Sequence, residues 1–90
     1  MTFEELVKSC RKTCGSCPTQ WEGDLHDGRR FYFRYRHGVA RLGVGVDDAE
    51  AIEDSRGTYL TYREDPYDGQ VTDEQFRALM LPLWLLRENP

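Results

Sequence analysis

The sequence predicts a single α+β domain over residues 1–90: an N-terminal helix, a three- to four-stranded, mainly antiparallel sheet, and a C-terminal helix packed on one face of it. Three observations carry this. Residues 21–46 alternate apolar and polar side chains with a period of two, interrupted by the turn signals Asp27-Gly28 and His37-Gly38. Thr2 with Glu5, and Thr72 with Gln75, stand at capping-box spacing, each flanked by an apolar pair placed as a hydrophobic staple. Ninety residues is the length of one small domain.

From the N-terminus, Phe3, Leu6, Val7, Cys10 and Cys14 recur at three- and four-residue steps, while Glu4, Lys8, Arg11 and Lys12 fall between them. That spacing predicts one apolar stripe on a helix, with Gly15 as its stop. Cys10, Cys14 and Cys17 form a Cys-x3-Cys-x2-Cys pattern. On a helix, Cys10 lies one turn from the Cys14-Gly15-Ser16-Cys17 knuckle, and His26 or His37 would complete a zinc tetrahedron. The simpler account is three ordinary thiols and no cofactor, because a strong zinc signature has two well-spaced pairs. The same spacing serves the iron–sulfur cluster of radical enzymes, but this chain is too short for such a barrel. A thioredoxin-type dithiol needs a helix N-terminus after a strand, which this position lacks.

In the central stretch, Trp21, Gly23 and Leu25 predict a first strand. Phe31, Phe33 and Tyr35 then share one face of a second, leaving Arg30, Tyr32, Arg34 and Arg36 on the other. A third strand over residues 39–46 alternates Ala40, Leu42, Val44 and Val46 with Val39, Arg41, Gly43 and Gly45. Two glycines on one face predict either a bulge, the simpler reading, or the close approach of another backbone.

The segment Cys17-Pro18-Thr19-Gln20-Trp21-Glu22-Gly23, with Asp27-Gly28-Arg29, Tyr32-Phe33-Arg34-Tyr35-Arg36 and Gly38, resembles small proteins of actinobacteria and their phages that have no established activity. The resemblance covers about a quarter of the chain. It implies an actinobacterial or phage-encoded setting and no mechanism.

Residues 47–54 are acidic, with helix formers in the middle, and predict a short helix or a solvated loop; the central glycine of a calcium loop is missing. Ser55-Arg56-Gly57 is a turn signal, and residues 58–63 predict a fourth strand with Tyr59, Thr61 and Arg63 on one side. After loop residues 65–70, the second capping box starts the C-terminal helix. Phe76, Leu79, Met80 and Leu83 supply the face that covers the sheet. Pro82 predicts a kink or a fresh helix start near Leu81.

Two surfaces are candidates for binding. Leu81, Trp84 and Leu85 point in directions the sheet does not cover and would serve a protein partner or a second copy of the chain in a homodimer. Tyr32, Arg34, Arg36 and Arg63, with Arg41 and Tyr59 beside them, combine guanidinium forks and aromatic rings that suit nucleic acid or a nucleotide. The net charge of −4 argues against a general nucleic-acid coat. The charge is uneven, however: residues through Arg41 sum to +3 and the remainder to −7. No catalytic constellation appears, since neither His26 nor His37 has a partner in the sequence pattern and no phosphate-binding glycine loop is present. The expectation is a non-enzymatic interaction module. Three cysteines, with neither a leader peptide nor a run long enough to span a bilayer, predict a cytoplasmic location and no membrane partner.

Overall fold

The computed structural model describes residues 1–16 and 18–88. One turn of helix, α1 (Phe3–Leu6), leads into an antiparallel meander of five strands lying side by side in chain order: β1 (Val7–Gly15), β2 (Thr19–Leu25), β3 (Arg30–Arg36), β4 (Val39–Gly45) and β5 (Tyr59–Thr61). Between β4 and β5 comes α2 (Asp48–Asp54), and α3 (Asp73–Glu88) packs on the sheet. The α+β class and its two terminal helices are as the sequence predicts.

The sheet gains its fifth strand where a longer helix was expected. The Thr2–Glu5 capping box forms, with Thr2 N–H donating to Glu5 Oε1 at 2.9 Å and Glu5 N–H to Thr2 Oγ1 at 3.2 Å. The helix nevertheless ends at Leu6 and the chain extends. Val7, Ser9, Cys10, Thr13 and Cys14 are weak helix formers, and the backbone of β2 needs a partner along its outer edge, which β1 supplies. Bulges between Val7 and Ser9 and between Lys12 and Cys14, together with Lys8, Arg11 and Lys12, protect this long edge from pairing with another chain.

One face of the sheet forms the core. Trp21, Phe31, Phe33, Tyr35, Ala40, Leu42 and Val44 are buried there, as the alternation requires, while Val46 lies past the strand end in solvent. Phe76 of α3 is the centre of this layer. Its ring stacks on Trp21 at 4.3 Å and meets Phe33 edge-on at 4.9 Å and Phe3 at 5.6 Å. Each such pair adds about 0.5–1.5 kcal/mol beyond simple burial. The second capping box holds the start of α3, with Thr72 N–H donating to Gln75 Oε1 at 2.9 Å and Gln75 N–H to Thr72 Oγ1 at 3.1 Å. Of the kink or fresh helix start expected near Leu81, the fresh start does not occur: α3 is one helix from Asp73 to Glu88 with Pro82 inside it. Pro82 and Ala78 are both exposed, so the carbonyl that loses its donor has access to water.

The opposite face is covered over only part of its area, and the two glycines decide where. Gly43 and Gly45 do not bulge, for β4 keeps an unbroken register with β3. Instead the backbone of α2 lies directly on them: a Cβ at Gly43 would fall on the Ala51 carbonyl, and one at Gly45 would crowd Glu50 and Ala51. The acidic segment is thus a seated helix, capped by Asp47, whose carboxylate accepts from Glu50 N–H, and burying Ala51. Beyond β5, Asp54 and Arg87 satisfy the free edge of β4. Val44 N–H donates to Asp54 Oδ2 at 2.8 Å, Arg87 Nη2 reaches Val44 O at 3.5 Å, and Arg87 Nε donates to the same carboxylate at 2.6 Å. Among the described residues, no helix is long and apolar enough to cross a membrane.

Replacing Gly43 with alanine forces α2 off the sheet and lowers stability by about 2 kcal/mol, near 10 °C in Tm, when followed by thermal or urea unfolding. Gly15→Ala, where a Cβ meets nothing within 4 Å, stays within about 0.5 kcal/mol of the parent.

Candidate functional site

The two turns of the meander place the charged side chains of β3. Gly28 supplies positive φ between β2 and β3, and His37 and Gly38 both have positive φ between β3 and β4, the pattern of a two-residue hairpin turn. Gly38 also needs its missing side chain, because a Cβ there would overlap the Arg63 carbonyl. With the turns fixed, Arg34 and Arg36 share the face opposite the core with Arg41, the direct cross-strand neighbour of Arg34. Along this row the register continues through Gln20 on one side and Tyr59 on the other.

Like charges directly opposite each other on a sheet are destabilising, so their partners matter. Arg29, Arg30, Arg56, Arg63, Arg77 and Arg87 each meet a carboxylate. Among the described residues, Arg34, Arg36 and Arg41 do not, and the other cations without one, Lys8 and Arg11, lie on the exposed edge strand. Arg41 donates to the Arg56 carbonyl at 3.2 Å and lies over the Tyr59 ring at 5.2 Å. Arg34 Nε is buried without a hydrogen-bond partner. These three arginines, His37 and Val39 line a shallow cavity of about 200 Å³.

Beside it stands the loop that precedes α3. Gly38 N–H donates to the Asp68 carbonyl at 2.9 Å, and His37 Nδ1 lies 2.7 Å from the Pro66 carbonyl, the geometry of a ring N–H donating to it. The buried Thr19 hydroxyl reaches the Gly69 carbonyl at 2.9 Å and accepts from Val71 N–H at 3.3 Å. The Asp68 carboxylate accepts from the Tyr35 hydroxyl and from Arg63 Nη1 at 2.7 Å. Burial works to raise the Asp68 pKa, but the hydrogen bonds from Tyr35 and Arg63 prevail and hold it below the usual carboxylate range. Burial, with the hydrogen bond to Asp68, pushes the Tyr35 hydroxyl up to about 12. The anchored loop presents Tyr67 at its tip, 91% exposed. Arg36, His37, Pro66, Tyr67, Asp68 and Gly69 line a second cavity of about 190 Å³.

Of the four residues expected to bind nucleic acid or a nucleotide, Arg34 and Arg36 are available on the open face. Tyr32 is not: it is 7% exposed beside α2, its hydroxyl accepts from Gln20 Nε2 at 2.8 Å, and burial raises its pKa. Arg63 is committed to Asp68 and lies over Tyr62 at 4.8 Å. Arg41 takes its place in the cluster. His37 and Tyr67 were not expected there, since they come together only through the fold.

The expected protein-docking residues also separate. Leu81 and Trp84 are half-buried against the core, and Arg29 covers the Trp84 ring at 5.4 Å, whereas Leu85 is exposed. Leu85 instead joins Leu60, Pro82 and Leu86 in an open apolar depression.

The zinc alternative required a helix. On the extended β1, Cys10 and Cys14 are roughly 13 Å apart, and they point to opposite faces, Cys10 opposite Gly23 and Cys14 opposite Gln20. Burial also pushes the Cys10 thiol up, away from the thiolate that a metal binds. Cys17 lies outside the described residues. Of the two histidines, His26 is bound at the β2–β3 turn to the Glu4 carbonyl and His37 at the β3–β4 turn, at opposite ends of the sheet. Among the described residues, no group of three or more His, Cys, Asp or Glu side chains is placed to hold a metal ion.

No family model matches the chain, and no curated protein or solved structure matches it.

The Asp68 network makes stability depend on pH at both ends. A depressed carboxylate contributes stability that is present above its unfolded pKa of about 3.9 and lost as pH falls through the lower folded value. Asp68→Asn therefore melts below the parent at pH 7, by an amount equivalent to about 2 kcal/mol, and the gap narrows below about pH 4. For Tyr35, with its raised pKa, the contribution is complete below about pH 10 and fades as pH rises beyond it. Tyr35→Phe flattens that alkaline limb of the melting profile.

Proposed function

We propose that the protein is a small non-catalytic binding module that takes an anionic, phosphate-type group on the arginine cluster of its sheet. The observation that supports this reading is the pairing pattern. In a chain with more carboxylates than cations, three of the four guanidinium groups that meet no carboxylate among the described residues, those of Arg34, Arg36 and Arg41, lie together on one open face, and the fourth, Arg11, is on the edge strand. Guanidinium forks match phosphate oxygens two at a time, and an anion between Arg34 and Arg41 removes their mutual repulsion. Extended nucleic acid is a poorer match, because the cluster is compact, whereas a backbone track needs a line of positive charge.

Titration of the protein with inorganic phosphate at low salt, followed by nuclear magnetic resonance, tests this. Saturable shifts are expected at Arg34, Arg36 and Arg41. Arg34→Gln and Arg41→Gln each weaken binding about tenfold, while Arg56→Gln, which removes an exposed arginine paired to Glu53, leaves it unchanged. Non-saturating shifts, or equal weakening by Arg56→Gln, refute the reading.

A second reading concerns the end of α3. Leu85 and Leu86, 58% and 47% exposed, adjoin Leu60 and Pro82 with no charged residue lining the depression. The occupant this reading commits to is a second copy of the chain, since a two-fold contact places the same uncharged side chains against each other. Light scattering after size exclusion should show a concentration-dependent dimer that Leu85→Glu abolishes. A monomer at every accessible concentration removes this reading.

A further inference from the structure

The cavity lined by the three arginines does not stand alone. It shares Arg36 and His37 with the cavity beneath the Tyr67 loop, so the two are neighbours on either side of these residues. Each is about 200 Å³, and a ligand reaching across both would have the room of a small-molecule site, roughly 300–1,000 Å³. Their chemistry differs. The first offers guanidinium groups without carboxylates. The second is lined by Pro66, Tyr67, Asp68 and Gly69 besides the shared Arg36 and His37, and adds no further cation. A second phosphate finds no further cation there, whereas a neutral planar group can lie on the tyrosine.

We propose that the ligand is a mononucleotide, its phosphate on Arg34, Arg36 and Arg41 and its base against Tyr67 and Pro66. This rests on the anion-binding reading above and adds the part of the ligand that phosphate alone does not specify. The arrangement holds the two halves of the ligand at fixed separation. His37 Nδ1 is bound to the Pro66 carbonyl, and the Asp68 carbonyl accepts from Gly38 N–H, so the loop carrying Tyr67 is tied to the turn that follows Arg36. The spacing of the charges supports a single nucleotide over a strand. Arg34 and Arg36 are two residues apart on β3, roughly 7 Å, and Arg41 is roughly 5 Å across from Arg34. That footprint covers one phosphoryl group.

The test is calorimetric titration of the full chain at low salt with AMP, ribose 5-phosphate, inorganic phosphate, phosphotyrosine and a short single-stranded oligonucleotide. AMP should bind about tenfold tighter than ribose 5-phosphate or phosphate, in line with the roughly 1–3 kcal/mol that stacking a base on an aromatic ring contributes. Tyr67→Ala should reduce AMP to the level of ribose 5-phosphate and leave phosphate binding unchanged; because Tyr67 is almost fully exposed, this variant folds normally. Arg34→Gln should weaken all of the phosphate compounds, with circular dichroism confirming that it is folded. If AMP binds no tighter than phosphate, or Tyr67→Ala does not affect it, the nucleotide inference falls and the anion-binding reading stands. If phosphotyrosine matches AMP, or the oligonucleotide binds more tightly per molecule with a steep salt dependence, the inference is again overturned, in favour of a phosphorylated peptide or of nucleic acid. If no phosphate compound binds, both proposals fail.

Discussion

The absence of side chains at Gly43 and Gly45 is the constraint on which the outer half of this molecule depends. Because no Cβ stands there, the backbone of α2 lies on β4 itself, and Ala51 is buried where a larger residue would not fit. Several placements follow from that contact. Tyr32, opposite Gly43 in the register, is buried beside the helix. Arg30, opposite Gly45, donates to Asp48 of α2 at 2.8 Å and to Asp24 of β2 at 2.9 Å, so its charge is spent on the helix and its neighbouring strand. Arg34, Arg36 and Arg41 lie beyond the reach of α2 and stay open. Two glycines thus divide one face of a sheet into a structural half and a half with unoccupied charge.

The core face was legible because its signal is local and redundant. Phe31, Phe33 and Tyr35 alternate with arginines that a core cannot hold, Asp27-Gly28 and His37-Gly38 name their own turns, and Thr72 with Gln75 marks the start of α3. The first strand was illegible for a related reason. Phe3, Leu6, Val7 and Cys10 satisfy a helical stripe, and one turn of that helix does form. What ends it is the unpaired backbone of residues 19–25, a partner distant enough in sequence to leave no trace in local periodicity. Pro82 is a similar case: a proline disfavours a helix locally, but the buried faces of Phe76, Leu79, Met80 and Leu83 keep α3 one helix on both sides of it.

The candidate site shows the same divide between local and distant information. Alternation places Arg34 and Arg36 on the open face. It does not distinguish them from Arg63 or Tyr32, whose availability depends on Asp68 and on α2. His37 and Tyr67 belong to elements separated by β4, α2 and β5, and they come together only when the β3–β4 turn and the loop before α3 bind each other. A turn residue and a loop tip carry no sequence mark of a shared cavity.

A net charge of −4 does not exclude a local cluster of positive charge, and the reason is physical. Carboxylates neutralise arginines only within a few ångströms, because water and salt screen exposed charges over about 8–10 Å. Here several are committed elsewhere and none meets the arginine row among the described residues: Asp54 is held by Arg87 and the edge of β4, Asp68 by Tyr35 and Arg63, Asp24 and Asp48 by Arg30, and Asp47 by the start of α2. The arginine row therefore keeps its own positive potential within an acidic protein. Arg34 carries a further cost, since a buried donor without an acceptor forfeits about 1–3 kcal/mol, and its Nε is in that state. Folding tolerates the penalty because the phenylalanine and tyrosine rings on the other face of the same strand are fully buried. On the reading proposed above, an anion that reached this Nε would supply the acceptor that the free protein lacks, and the cost carried by the free sheet would be recovered on binding.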